Sequence, residues 1–127
     1  MGIYLAPKFQ NNTDLREYTT VRAEVLDIKL LHNQKWGSDN NKTITEITFK
    51  TECGHIVVQK EVYSLGKATM LNRLYNTITG FDIDSSIGFH TDDILNTTIQ
   101  ASVNKYKGNG YEGTLLIDFQ KNKIKED

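Results

Sequence analysis

The sequence holds a single cysteine, Cys53, in 127 residues. An internal disulfide is thereby excluded, and a lone thiol suits a reducing compartment. Neither sign of charge is in excess: 15 Lys and Arg stand against 16 Asp and Glu, for a formal net charge of -1. No basic surplus announces a nucleic-acid partner, although the local distribution of charge decides binding. No apolar run approaches the length of a membrane span. Ile3-Tyr4-Leu5-Ala6 is too short for a secretory signal and ends at Pro7, so a cytoplasmic location without membrane attachment is expected. Internal repeats and low-complexity tracts are also missing.

Several kinds of site chemistry are missing as well. His32, His55 and His90 are far apart, and none has metal-type spacing with the cysteine. Cys53 and His55 fall on opposite phases of a turn or strand start, so a small buried thiol is expected rather than a catalytic pair. Asp82, Asp84, Asp92 and Asp93 surround one loop without the regular spacing of a calcium motif. Asp92 is expected to cap a helix or to be solvated. Gly108 and Gly110 belong to a hairpin turn with no helix after it, so they form no phosphate-cradling loop. No constellation supports an enzyme, and no metal or cofactor is expected.

What the chain does have is periodicity. Apolar content is 38%, enough for one core, and the Thr/Ile/Val runs favour strands. Residues 1–17 read as an N-terminal arm, 18–120 as one domain and 121–127 as a short charged tail. The first strand spans about Tyr18 to Leu31. Val21, Ala23 and Val25 alternate with Arg22 and Glu24, and then Leu26, Ile28 and Leu30 take over the apolar phase. A one-residue phase shift of this kind predicts a β-bulge, which bends a strand. A polar loop is expected from His32 to Asn41, interrupted by Trp36. The second strand, Lys42 to Thr51, places Ile47 and Phe49 on one face and Ile44 on the other. After a tight turn at Glu52-Cys53-Gly54 comes the third, His55 to Tyr63, where Ile56, Val58 and Val62 alternate against Val57, Gln59 and Glu61.

Ser64 reads as a helix N-cap. Met70, Leu71, Leu74, Tyr75 and Ile78 recur at helical spacing, and Gly80 stands where a C-terminal glycine belongs. A loop over Phe81 to His90 and a short helical turn at Asp92 to Leu95 lead to the fourth strand, Thr98 to Lys107. There Ile99, Ala101 and Val103 are expected to face inward. Gly108-Asn109-Gly110 turns the chain into the fifth strand, Tyr111 to Gln120, with Leu115, Ile117 and Phe119 facing inward. The pattern is mainly β, a set of five strands with the helix between strands three and four. It fits a five-stranded Greek-key barrel, the OB-fold, and it also fits an open α+β meander of the same order.

Three segments carry a resemblance to a known family. They are the strand TVRAEVLDIKL (Thr20–Leu30), the helix LGKATMLNRLYN (Leu65–Asn76) and the segment DDILNTTIQASVNKYKGNGYEGTLLIDF (Asp92–Phe119). From about Thr19 to Gln120 the chain resembles the small OB-fold single-stranded DNA-binding proteins encoded by phages of Gram-positive bacteria, lactococcal and streptococcal types in particular. The resemblance implies sequence-nonspecific binding of single-stranded DNA in phage replication or recombination, within the host cytoplasm. It also implies a homodimer or higher homo-oligomer, and replication or recombination proteins as partners. One feature departs from bacterial proteins of this function. The sequence ends Lys123-Ile124-Lys125-Glu126-Asp127, not in an acidic tail with an apolar tip, so recruitment of repair enzymes through such a tail is not expected.

Single-strand binding needs cations along a groove and aromatic faces for bases. Trp36, beside Lys35, lies in the loop that flanks the binding face of an OB-fold; the bland alternative is an indole folded back over one end of the core. Tyr106 and Tyr111, with Lys105 and Lys107, bracket the last hairpin turn, as stacking groups or as a cross-strand pair. Arg22, Lys42, Lys50 and Lys60 could line a basic groove or belong to a solvated face, and Glu24, Glu46 and Glu61 share those strands. The alternative function is a protein-interaction module, such as a phage inhibitor of a host factor, which the near-zero charge also fits.

Overall fold

A computed structural model describes the backbone of residues 19–108 and 111–121, and their side chains except at 106–108, 111 and 112. The expected arm (1–17) and all of the expected tail but Lys121 lie outside the described residues. The elements are β1 (Thr20–Trp36), β2 (Asp39–Thr51), β3 (Ile56–Val62), α1 (Met70–Thr79), β4 (Thr98–Gly108) and β5 (Tyr111–Lys121). One 3-10 turn, Thr91–Asp93, precedes β4. The strands pair antiparallel in a single sheet of order β3-β2-β1-β4-β5. The mainly β class and the position of the helix are as expected. The closed barrel is not found: β3 and β5 are the two edges, and no backbone ladder joins them.

Strand β1 is the centre of the sheet because a bulge divides it. The register runs Val25↔Phe49 and then Asp27↔Thr48, leaving Leu26 as the extra residue. The Val25 carbonyl and N–H turn to Asn96 N–H and Thr97 O, 2.7 and 3.0 Å away. Before the bulge Ala23 and Val25 face the core; after it Ile28 and Leu30 take that side. The phase shift in the sequence therefore marks a real bulge.

The polar stretch 32–41 is not a loop. β1 and β2 continue as a long hairpin arm to a turn at Gly37-Ser38, and Trp36 pairs with Asp39. Register shifts after Leu31 and Gln34 interrupt the alternation, and Asn33 and Asn41 adopt positive φ of 58° and 60°. Asn tolerates that conformation better than most residues. The broken pattern hid a strand that carries little apolar surface.

The core follows the expected phases on β2 and β4: Ile47, Phe49, Ile99, Ala101 and Val103 are buried. On β5 the phase differs. Two residues, Asp118 and Phe119, oppose Ala101 alone, and Asp118 takes φ 52°. This second bulge puts Leu116 in the core opposite Val103 and leaves Ile117 partly exposed. Phe119 still packs inward, its ring 5.8 Å from that of Phe49.

The helix begins later than expected. Thr69, not Ser64, is the N-cap, and its Oγ1 accepts the Asn72 N–H at 3.0 Å. Ser64 instead accepts the Gly66 N–H. Glu61 reaches over from β3, and its two carboxylate oxygens take the N–H groups of Met70 and Leu71, both at 2.9 Å. Three of the first N–H groups of α1 are thus satisfied, and a carboxylate lies at the positive end of the helix. Gly80 ends α1 in the left-handed region, as expected.

One side chain spans the two sheet edges. Gln59 is 3% exposed. Its Oε1 accepts the Leu116 N–H and its Nε2 donates to the Leu116 carbonyl at 3.2 Å. Leaving both backbone groups buried without partners costs about 1–3 kcal/mol for each group. Gln59→Leu keeps the volume and removes both bonds. It is expected to lower stability by about 2–5 kcal/mol in chemical denaturation. A loss below about 1 kcal/mol would show that the seam is not structural.

Candidate nucleic-acid interface

The face of β1–β3 turned away from the core is ordered by the register. Across it run the rows Glu24–Lys50–Ile56, Asp27–Thr48–Val58, Lys29–Glu46–Lys60 and Leu31–Ile44–Val62. Three lysines, Lys29, Lys50 and Lys60, thus share the face with three acids, Glu24, Asp27 and Glu46. In the third row Glu46 lies between two cations, 3.6 Å from Lys29 Nζ and 3.7 Å from Lys60 Nζ. Aliphatic side chains are also exposed here: Ile56 is 54% and Val58 48% exposed.

Arg22 is on the same side but is engaged elsewhere. Its Nε is 3.3 Å from Glu52 Oε1, its Nη2 donates to Oε2 at 3.3 Å, and its backbone N–H donates to Oε1 at 3.0 Å. The Arg22 backbone N–H is the largest cause that holds the Glu52 carboxyl below its ordinary range; burial opposes it, and the guanidinium's hydrogen bond and charge add to the lowering. At the other end of the sheet Trp36 stands at the tip of the β1–β2 arm and is 40% exposed. The indole is therefore not folded into the core. Lys35 is exposed next to it, and Lys42, across the arm, is 4.0 Å from Asp39. Lys105 is exposed on β4, opposite Thr114. The backbones of Tyr106, Lys107 and Tyr111 pair with Gly113, Glu112 and Gly108; their side chains lie outside the described set.

The expected residues therefore fall into groups. Lys50 and Lys60 share the β2–β3 face. Lys35, Trp36 and Lys42 share the arm. Lys105, Tyr106, Lys107 and Tyr111 share the β4–β5 hairpin, and Arg22 stands apart with Glu52. Lys29 was missed; its signal is the phase after the bulge, which puts it opposite Ile28 and Leu30. Cys53 is exposed, not buried, because it is in the β2–β3 turn, with Sγ 3.2 Å from Thr51 Oγ1. Among the described residues no three His, Cys, Asp or Glu side chains converge as a metal site. None of the described helices is long and apolar enough to cross a membrane.

Neither protein-family models nor curated proteins give a match to this chain.

The Arg22–Glu52 geometry fixes a pH response. The Glu52 carboxyl is lowered from an ordinary value of 4.5. A lowered folded value means that the pair stabilises the fold above about pH 4.5 and stops doing so as pH falls through the folded value. Arg22→Ala removes the guanidinium but keeps the backbone donor, which is the larger cause. NMR titration of the Glu52 carboxyl is expected to show its midpoint rising only part of the way back. A full return would assign the shift to the guanidinium alone.

Proposed function

We propose that this chain is an OB-fold module that binds single-stranded DNA without sequence preference, by stacking and local cations, and that it is not an enzyme. The observation that carries this reading is the exposed indole of Trp36 on an arm extending beyond the core, with Lys35 and Lys42 beside it. A base has a π-face whatever its identity, so an exposed ring between cations binds strands without reading them. The strand order supports the fold assignment, because joining the edges β3 and β5 completes the circuit of an OB barrel, and Gln59 already bridges them. On this reading the module works in the cytoplasm of a phage-infected host, during replication or recombination. Self-association as a homodimer or higher oligomer would cover the open sheet edges.

A second reading is favoured by one observation. The exposed Ile56 and Val58, on a face with balanced charge, fit a protein-interaction module. The two readings separate in one titration. Trp36 is the only tryptophan, so its fluorescence reports on the arm. Quenching by a single-stranded oligonucleotide, weaker with duplex and weaker with added salt, supports DNA binding. A labelled poly-T strand left unshifted at low salt rejects it.

Two substitutions test the chemistry with a labelled strand. Trp36→Ala is expected to weaken binding by roughly tenfold, the value of one stacked base. Glu46→Gln frees Lys29 and Lys60 and is expected to tighten binding about two- to fivefold at low salt. It also steepens the salt dependence, by about 0.7 in slope for each lysine that gains a phosphate. Unchanged affinity and slope would place the strand away from this face.

A further inference from the structure

The two edges of the sheet are not alike. The β5 edge is blunted. Asp118 and Phe119 form a bulge, Gln59 occupies the backbone groups of Leu116, and Thr77 Oγ1 donates to the Phe119 carbonyl at 3.3 Å. The β3 edge has none of these devices. Its register with β2 runs from Ile56 to Val62 without a shift, and the strand holds no proline. Tyr63 N–H donates to Thr43 O at 2.8 Å. Along an antiparallel ladder, residues that bond across alternate with residues whose backbone groups point away. Val57, Gln59 and Glu61 therefore turn their backbone groups to β2, while Ile56, Val58, Lys60 and Val62 turn theirs outward. No strand pairs with that outward side. The contact with β5 is made by the Gln59 side chain from the core face, and the outward groups take no part in it.

An unblunted edge is a template for another strand. The residues of β3 suit a second copy of the same strand. The strand has seven residues with Gln59 at its midpoint. Two copies related by a twofold axis overlap completely only when Gln59 faces Gln59. Ile56 then lies opposite Val62 of the second copy, and Val58 opposite Lys60. Ile56 is 54% and Val58 48% exposed, and both become covered. Val62 brings Ile44 of its own row beside Ile56, and the aliphatic stem of Lys60 lies over Val58. The Lys60 charge is already matched by Glu46 at 3.7 Å, so the pairing strips it of nothing. Neighbouring registers are worse. Centring on Lys60 sets two like charges opposite each other. Centring on Val58 leaves Val62 opposite Gly54, beyond the end of the strand.

We propose that the chain forms a twofold dimer by antiparallel pairing of β3 with β3 of a second copy, centred on Gln59, which joins the two five-stranded sheets into one. The inference gives the self-association of the DNA-binding reading a definite edge and register, and it holds whether or not the chain binds DNA. The Val62 end of β3 is also the base of the β1–β2 arm. Antiparallel pairing therefore sends the two arms, each with its Trp36, out from opposite ends of the joined sheet.

The test uses the full chain without nucleic acid. Sedimentation velocity over a concentration series is expected to show a monomer–dimer equilibrium. Two substitutions at one exposed position then read the register. Opposite Lys60 of the second copy, Val58→Glu gains an unlike charge and Val58→Lys a like one. The glutamate variant is expected to dimerise about tenfold more tightly than the lysine variant, with the difference shrinking as salt is added. Pairing centred on Val58 would weaken both variants alike, and pairing through β5 would not separate them. Cys53 is the single cysteine and is exposed, so it takes a spin label without further substitution. Cys53 and Gln59 are six residues apart. At about 3.3 Å per residue on each side of the axis, the two labels are expected about 40 Å apart. A chain that stays monomeric up to about 1 mM overturns the pairing. So does equal dimerisation of the two variants, or a label distance under about 30 Å. If the dimer forms as described but no strand is bound at low salt, the DNA reading fails and the pairing stands. If a strand binds to a chain that stays monomeric, the reverse holds.

Discussion

The amide of Gln59 holds the two ends of the sheet together. A sheet of five strands has two edges, and each presents unpaired N–H and C=O groups. Here β3 and β5 approach each other but exchange no backbone ladder. Gln59 carries a donor and an acceptor at the end of a short side chain, as a peptide group does, and it uses both on Leu116. One side chain thus substitutes for one rung of the missing ladder. The same Nε2 lies 2.9 Å from Met70 Sδ, so the first residue of α1 meets the seam as well. Leu116 is in place only because the bulge at Asp118 and Phe119 shifts the phase of β5. The strained φ of Asp118 and the buried amide of Gln59 therefore support one another.

The helix depends on the same strand. Glu61, two residues beyond Gln59 and on the same face, caps α1 from outside the helix. Asn72 then pins the next segment: its Oδ1 accepts the Ile83 N–H at 2.7 Å, and its Nδ2 donates to Lys67 O and Asp82 Oδ1. Buried polar groups satisfied in this way specify a unique arrangement more than they add net stability. Strand, helix and loop are linked in sequence from Gln59 to Ile83. That chain of contacts positions the loop carrying Ile87 and Phe89 against β1 and β2, which is why a cleft exists there.

Sequence periodicity disclosed the parts governed by apolar alternation. The bulge at Leu26, the inward phases of β2 and β4, the turn at Gly54 and the glycine that ends α1 were all legible. The parts governed by polar groups were not. On β3 the apolar residues Ile56 and Val58 face solvent, while Gln59 and Glu61 turn inward to serve the seam and the helix. No hydropathy pattern can reveal that, because the partners come from segments up to 57 residues away. The arm beyond Leu31 was hidden for a related reason. Asn33 and Asn41 absorb its irregularities at positive φ, and the two strands carry too few apolar residues to alternate. Of the candidate site, residue types were readable but not their pairing: Arg22 looks like a free cation until Glu52 is found beside it.

The balance of charge limits how such a surface could hold a nucleic acid. On the β1–β3 face Lys29 and Lys60 share Glu46, and Lys50 lies opposite Glu24 in the register. A phosphate approaching Lys29 or Lys60 has to displace Glu46, which is already in place, and the gain is the difference between two similar ion pairs. Under the proposed reading, electrostatics at Lys29 and Lys60 would set register more than affinity, and most binding energy would come from stacking on exposed rings. Stacking is little affected by salt, whereas counterion release falls away with it. A module built in this way would keep its hold on a strand at ionic strengths that strip a purely basic groove. The exposed indole on the arm fits that balance better than the lysines do.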